Sequence, residues 1–115
     1  MLEGVSQMMH IEQNPTISDL QKFIENKCIE RGWTERTDVE RVMMLAEEIG
    51  EVAKEIRKHT GKFGHNKPEN TDDLASELID VLNWIVDIAN NNKIDLGVAF
   101  QKKWQHNDRR TWNIA

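Results

Sequence analysis

Acidic residues recur at short intervals in two separate parts of the chain. The first group is the segment EEIGE at positions 47–51, and the second is ELID at positions 77–80. Each group contains two carboxylates three residues apart, which project from neighbouring turns of one helical face. Two such pairs brought side by side form a pocket of oxygen ligands, which suits Mg²⁺ or Mn²⁺ better than Zn²⁺. The spacing therefore predicts a divalent-metal site.

Glu77 lies at a position where a charge is costly. With side chains placed at 100° intervals, the apolar residues of the predicted third helix cover about 220°, and Glu77 falls between Val81 and Trp84 inside this arc. A buried carboxylate has to be protonated, paired with a cation or bound to a metal. Without Glu77, the first acidic group is better explained as a solvated face supported by Lys54 and Lys58.

Polar residues near the end of the chain share a helical face with apolar ones. Lys103 and Asn107 stand four residues apart, in the angular sector of Leu96 and Phe100, and Arg110 extends this line if the helix continues. Cationic groups placed there suit phosphate oxygens. The alternative is that Lys103 reaches past the apolar surface to solvent and that Arg110 lies beyond the helix end.

The elements that position these residues are predicted to be four helices. Ser18 with Gln21, and Thr37 with Glu40, have the spacing of capping boxes at two helix starts, and Gly32 ends the first helix. The second helix runs to about residue 59, the third covers 72–90, and the fourth follows a cap at Asp95 and fades around residue 109. A polar loop is expected at 60–71. Because no run alternates with period two, the fold class is all-α, a four-helix bundle-like protomer.

Domain organisation and setting follow from length and composition. We expect a flexible arm at residues 1–15 and one all-α domain at 16–115, since 115 residues suffice for a single domain. The net charge of −5 argues against a nucleic-acid polymer as partner. No apolar run is long enough to span a membrane, and one cysteine favours a reducing compartment, so we expect the cytoplasm. The wide apolar arc of the third helix predicts a second subunit, giving a homodimer or homotetramer.

The ordered combination of motifs resembles that of the MazG-like all-α nucleoside triphosphate pyrophosphohydrolases. Their signature is E-E-x-x-E, a spacer, then E-x-x-D, and the similarity extends over residues 20–112, including ERGW at 30–33 and IDL at 94–96. The resemblance implies hydrolysis of a nucleoside triphosphate to monophosphate and pyrophosphate in composite sites of a dimer or tetramer. Glu47 matches the first glutamate and either binds metal or orients water. The implied Mg²⁺ ligands, with Mn²⁺ as a possible substitute, are Glu48, Glu51, Glu77 and Asp80.

Other interpretations remain open at this point. Trp33 either stacks on a base or packs as a plug after the helix end, and Asn83 either contacts nucleotide or a metal ligand or faces away from the site. A phosphoribosyl-ATP pyrophosphohydrolase-like enzyme and a non-catalytic helical dimerisation or regulatory module are alternative functions. A ferritin-like di-iron bundle is disfavoured, because no histidine stands three residues after a glutamate. The preferred base and sugar are not predicted.

Overall fold

The computed structural model describes residues 11–60 and 70–109, which form four α-helices: α1 Ile17–Glu30, α2 Asp38–Thr60, α3 Asp72–Asn91 and α4 Leu96–Arg109. The all-α prediction is confirmed, since these ranges contain no strand. None of the described helices is long and apolar enough to cross a membrane. Most of the predicted arm, most of the predicted loop, and Arg110 lie outside the described residues.

Local capping fixes where three of the helices begin or end. At the start of α2, Thr37 Oγ1 accepts from the Glu40 N–H at 3.2 Å while Glu40 Oε1 accepts from the Thr37 N–H at 3.0 Å, which confirms the predicted box. Gly32 has φ +71°, a conformation that glycine adopts without a Cβ clash, and it ends α1 as predicted. Asp95 Oδ1 accepts from the Val98 N–H at 3.0 Å and caps α4.

The cap predicted for α1 was wrong by two residues. The reciprocal pair is Thr16 with Asp19: the Asp19 N–H donates to Thr16 Oγ1 at 3.1 Å, and the Thr16 N–H donates to Asp19 Oδ2 at 2.9 Å. Gln21 is used in tertiary structure instead. Its Nε2 donates to the Ile94 carbonyl at 2.8 Å and its Oε1 accepts from the Leu96 N–H at 2.9 Å. Gln21 therefore ties α1 to the connection between α3 and α4.

Helix α3 is the centre of the protomer. It packs against α2 on one side and α1 on another, and α4 contacts α1. Val86 and Ala89 of α3 are the buried apolar residues among those described. Leu78 and Ile79, nearer the start of α3, are half exposed, at 50% and 53%. The protomer thus covers only part of the wide apolar arc of this helix.

Helix α2 turns inward a face with four charged and two apolar side chains. Its buried or half-buried positions recur with helical period and are Asp38, Arg41, Leu45, Glu48, Val52 and Glu55. The apolar stripe of α2 lies roughly 120° around the helix from this face, and its members Val42, Met43 and Ile49 are more than half exposed. The packing therefore directs Glu48 towards α3 and leaves the apolar stripe of α2 uncovered in the protomer.

Candidate functional site

Three carboxylates converge between α2 and α3. Glu48 comes from the inward face of α2, whereas Glu77 and Asp80 stand three residues apart on α3. One oxygen from each lies within 4.8 Å of the others, and all three residues are half-buried. The two acidic motifs, 29 positions apart from Glu48 to Glu77, are thus brought together by the antiparallel packing of the two helices.

This donor set fits a small divalent cation. Octahedral Mg²⁺ has metal–oxygen distances of about 2.1 Å, so its ligand oxygens lie about 3.0 Å apart when adjacent and about 4.2 Å apart when opposite. The three oxygens, within 4.8 Å of one another, are therefore close enough for side-chain rotation to bring them around one ion. Glu51 is exposed and outside this trio, and Glu47 is exposed further around α2. Their predicted roles as ligand or water-orienting group stay predictions.

The electrostatics of the carboxylates favour cation binding. Burial raises the pKa of Glu77, and the negative charges of Asp80, Glu48, Glu51 and Glu55 raise this pKa further. A carboxylate that resists ionisation among like charges is stabilised when a cation compensates them. Glu51 therefore acts on Glu77 through its charge although its oxygen is not among the converging three.

A cleft of about 250 Å³ opens beside the carboxylates. We call it the Trp cleft, and its lining residues are Ile24, Lys27, Cys28, Trp33, Arg36, Glu48, Asp80, Asn83, Trp84 and Asp87. They come from α1, the α1–α2 connection, α2 and α3. Since Glu48 and Asp80 belong to both the cleft and the carboxylate trio, a ligand in the cleft reaches the predicted metal site.

Two tryptophans and an arginine form the aromatic part of the Trp cleft. The Arg36 Cζ atom lies 4.9 Å from the ring centroid of Trp33 and 5.2 Å from that of Trp84. Arg31 approaches Trp33 as well, with its Cζ atom 5.1 Å from the ring centroid. Such distances are those of cation–π contacts. One guanidinium group thus contacts both rings.

A buried ion pair holds the connection that carries Trp33 and Arg36. Arg41 Nε donates to Asp87 Oδ2 at 2.9 Å, and Arg41 Nη1 donates to the backbone carbonyl of Arg36. Cys28 Sγ lies 3.6 Å from Asp87 Oδ1, to which the thiol donates. Burial raises the pKa of the Cys28 thiol and the Asp87 charge raises it further, so the thiol keeps its proton. The ion pair therefore links α2 and α3, and the hydrogen bond from Cys28 connects α1 to the same carboxylate.

The predicted substrate residues fall into two groups. Trp33 and Asn83 line the Trp cleft beside Glu48 and Asp80. Lys103 instead borders a separate, mainly apolar groove with Leu82, Ile85 and Trp104. Asn107 is half-buried on α4. Arg110 lies outside the described residues. Within one protomer, Lys103 is thus not among the described residues that line the cleft.

Sequence reasoning missed several residues of the cleft. Trp84 was placed in the apolar arc of the third helix, although its position four residues after Asp80 already puts it one turn from that carboxylate. Lys27 and Cys28 had no signal beyond their place on α1. Arg36 lies in an irregular connection, where no periodicity reports on side-chain direction.

One known family matches most of the chain. The sequence profile described as "MazG nucleotide pyrophosphohydrolase domain" matches residues 37–114, more than half of the chain. The matched range contains all three converging carboxylates, whereas Trp33 and Arg36 precede it. No curated protein matches the chain closely enough to be reported as a relative. The helical fold and the family match together mean that this chain belongs to the family of MazG nucleotide pyrophosphohydrolase domains.

Proposed function

We propose that the protein hydrolyses a nucleoside triphosphate to the monophosphate and pyrophosphate in a reaction that depends on Mg²⁺, with Mn²⁺ as a possible substitute. The observation that carries this proposal is that Glu48, Glu77 and Asp80 converge beside a cleft that contains two tryptophans. Carboxylates suit a cation that binds polyphosphate, and aromatic rings suit a base. The carboxylates, through a bound cation, therefore suit the phosphates of a nucleotide, and the tryptophan rings suit its base.

In this proposal Glu48, Glu77 and Asp80 hold the metal, with Glu51 as the fourth ligand. When bound, Mg²⁺ supplies charge neutralisation of the phosphates and lowers the pKa of the attacking water. Glu47, which is exposed beside Glu48, either adds a ligand or orients that water. Glu77, whose pKa burial and neighbouring charge raise, has to release its proton before it ligates, so metal binding strengthens with rising pH.

The chain's own residues also account for substrate orientation. Trp33 and Trp84 offer stacking surfaces for the base, and Asn83 offers a side-chain amide that can hydrogen-bond to the nucleotide. Lys27 is a further cation on the cleft lining. Lys103, Asn107 and Arg110 remain our candidates for phosphate contacts, and we propose that a second subunit delivers them.

We further propose that the working form is a homodimer or a homotetramer. Val42, Met43 and Ile49 of α2 are exposed at 52%, 64% and 53%. Phe100 and Trp104 of α4, exposed at 66% and 52%, border an apolar groove. Large apolar side chains that are exposed on one helix face commonly mark a site of contact with another protein. A second copy of the chain that packs on these apolar residues would lie against α2, which also carries Glu48. Residues of both copies would then contribute to one site.

A nucleotide panel tests the proposed reaction. Canonical ribo- and deoxyribonucleoside triphosphates are incubated with the protein and Mg²⁺, and the products are resolved by chromatography. We expect monophosphate and pyrophosphate, with activity abolished by a chelator and restored by Mg²⁺. Glu25→Gln, which changes an exposed carboxylate of α1, is the matched control for Glu77→Gln. Release of orthophosphate instead of pyrophosphate, or equal rates for the two variants, contradicts the proposal.

A further inference from the structure

Arg36 differs from the neighbouring Arg41 in what holds its guanidinium group. Arg41 is 2% exposed and forms ion pairs with Asp87 and Asp38. Within the described residues, the Arg36 side chain takes part in no ion pair and no hydrogen bond; its guanidinium contacts the rings of Trp33 and Trp84, and its charge acts on Glu40 without direct contact. Cation–π contacts at partly exposed positions are weak. The Arg36 guanidinium is therefore easy to displace.

The space that Arg36 fills is suited to a nucleobase. A guanidinium is planar and delocalised, so it stacks on aromatic faces as a base does. With Arg36 in place the Trp cleft has a volume of about 250 Å³. This value lies just below the range of about 300–1,000 Å³ that is typical of small-molecule pockets. The cleft is thus partly occupied by one of its own side chains.

We propose that in the substrate-free protein Arg36 occupies the position between Trp33 and Trp84 that the base takes in the complex, so that Arg36 must leave before the base can stack. This inference rests on the proposed function, because it assigns the base to the Trp cleft. It adds a residue that sets the affinity for substrate. Arg36 precedes residue 37, where the family match begins.

The proposal has a quantitative consequence. A ligand that binds only the form with Arg36 displaced has its affinity reduced by the fraction of protein in that form. This reduction in affinity depends only on the protein, so it is the same for every base that binds between Trp33 and Trp84. Two cation–π contacts at partly exposed rings correspond to a factor on the order of tenfold. A ligand without a base escapes this reduction.

Calorimetric titration of Arg36→Ala tests the displacement without relying on turnover. The ligands are adenosine, cytidine and, as a ligand lacking a base, ribose 5-phosphate. We expect Arg36→Ala to lower the Kd of both nucleosides by one common factor, on the order of tenfold, and to leave the Kd of ribose 5-phosphate unchanged. Arg31→Ala is the matched control, since Arg31 also contacts Trp33, at 5.1 Å, but does not line the cleft.

Unchanged or weaker nucleoside binding by Arg36→Ala overturns the proposal, and so does an equal gain in Arg31→Ala, which would indicate a general charge effect. Arg36→Lys, which keeps the charge but loses the planar group, should show a smaller gain than Arg36→Ala. Circular dichroism verifies that each variant is helical. Pyrophosphate release by the unmodified protein separates the two ideas: turnover without a gain in Arg36→Ala overturns the displacement alone, whereas neither turnover nor nucleoside binding overturns both.

Discussion

Replacing Arg41 by methionine should strongly destabilise the protein, because it leaves Asp87 as a buried carboxylate without its cation. The side chains of Arg41 and Asp87 are 3% and 11% exposed, and their ion pair measures 2.9 Å. Removing one partner of such a buried pair costs about 3–5 kcal/mol. The variant also loses the donor to the Arg36 carbonyl, and with it the anchor of the connection that carries Trp33.

The expected loss is large relative to the whole stability. Domains of this size have a free energy of unfolding of about 5–15 kcal/mol. A loss of about 3–5 kcal/mol in a small domain, at about 4–8 °C per kcal/mol, lowers the Tm by at least about 12 °C. The Arg41→Met variant should therefore be marginally stable, and its nucleotide affinity should fall even at temperatures at which it is folded.

Urea unfolding followed by circular dichroism measures the effect. The series contains Arg41→Met, Asp87→Leu and the double variant, which replaces the ion pair by apolar side chains. We expect the double variant to recover most of the lost stability, because no uncompensated charge remains. Lys58→Met is the control: its ion pair with Glu55 measures 3.9 Å and Lys58 is 59% exposed. Its loss should be below about 1 kcal/mol.

Two results would refute this reasoning. One is a loss below about 1 kcal/mol in Arg41→Met, which would mean that Asp87 is solvated in the folded protein. The other is a double variant whose loss equals the sum of the two single losses, which would mean that the residues stabilise the fold independently.

Three further predictions concern the carboxylates and the assembly. Changing any one of the four predicted metal ligands to its amide should reduce turnover by at least about a hundredfold, and a near-normal rate at saturating Mg²⁺ removes that residue from the ligand set. Because burial and neighbouring negative charges raise the pKa of Glu77 above 4.5, the ionised form of Glu77 destabilises the folded protein. Stability is therefore highest below pH 4.5, where Glu77 is protonated, and is lost as the pH rises through the raised pKa. Glu77→Gln should therefore raise the Tm of the metal-free protein at neutral pH and make less difference near pH 4, whereas a lower Tm at neutral pH would show that the charge is paired structurally. Light scattering combined with an activity dilution series should show an oligomer that loses activity on dissociation, and a fully active 13.4 kDa monomer would contradict both the second subunit and the composite site.

Local sequence signals predicted most of the architecture. Capping at Thr37, Gly32 and Asp95 depends on residues within one turn, so the boundaries of three helices could be read from short segments. The acidic motifs could be found because the helical repeat fixes which residues share a face. The cap of α1 shows where this reasoning fails. Ser18 and Thr16 can both cap a helix, and the neighbouring sequence does not show that Gln21 forms hydrogen bonds with distant residues.

The unusual position of Glu77 could also be predicted from the sequence, since a carboxylate within an apolar arc needs compensation wherever the helix packs. Only the tertiary structure decides which side of α2 faces α3. Apolar stripes usually point to the core, yet here Arg41, Leu45 and Glu48 face inward. Helical periodicity shows which residues share a face of a helix, but it does not show which other helix packs against that face. The meeting of Arg36 with Trp33 and Trp84 likewise required the fold, because contacts between a connection and a distant helix leave no repeating pattern in the chain.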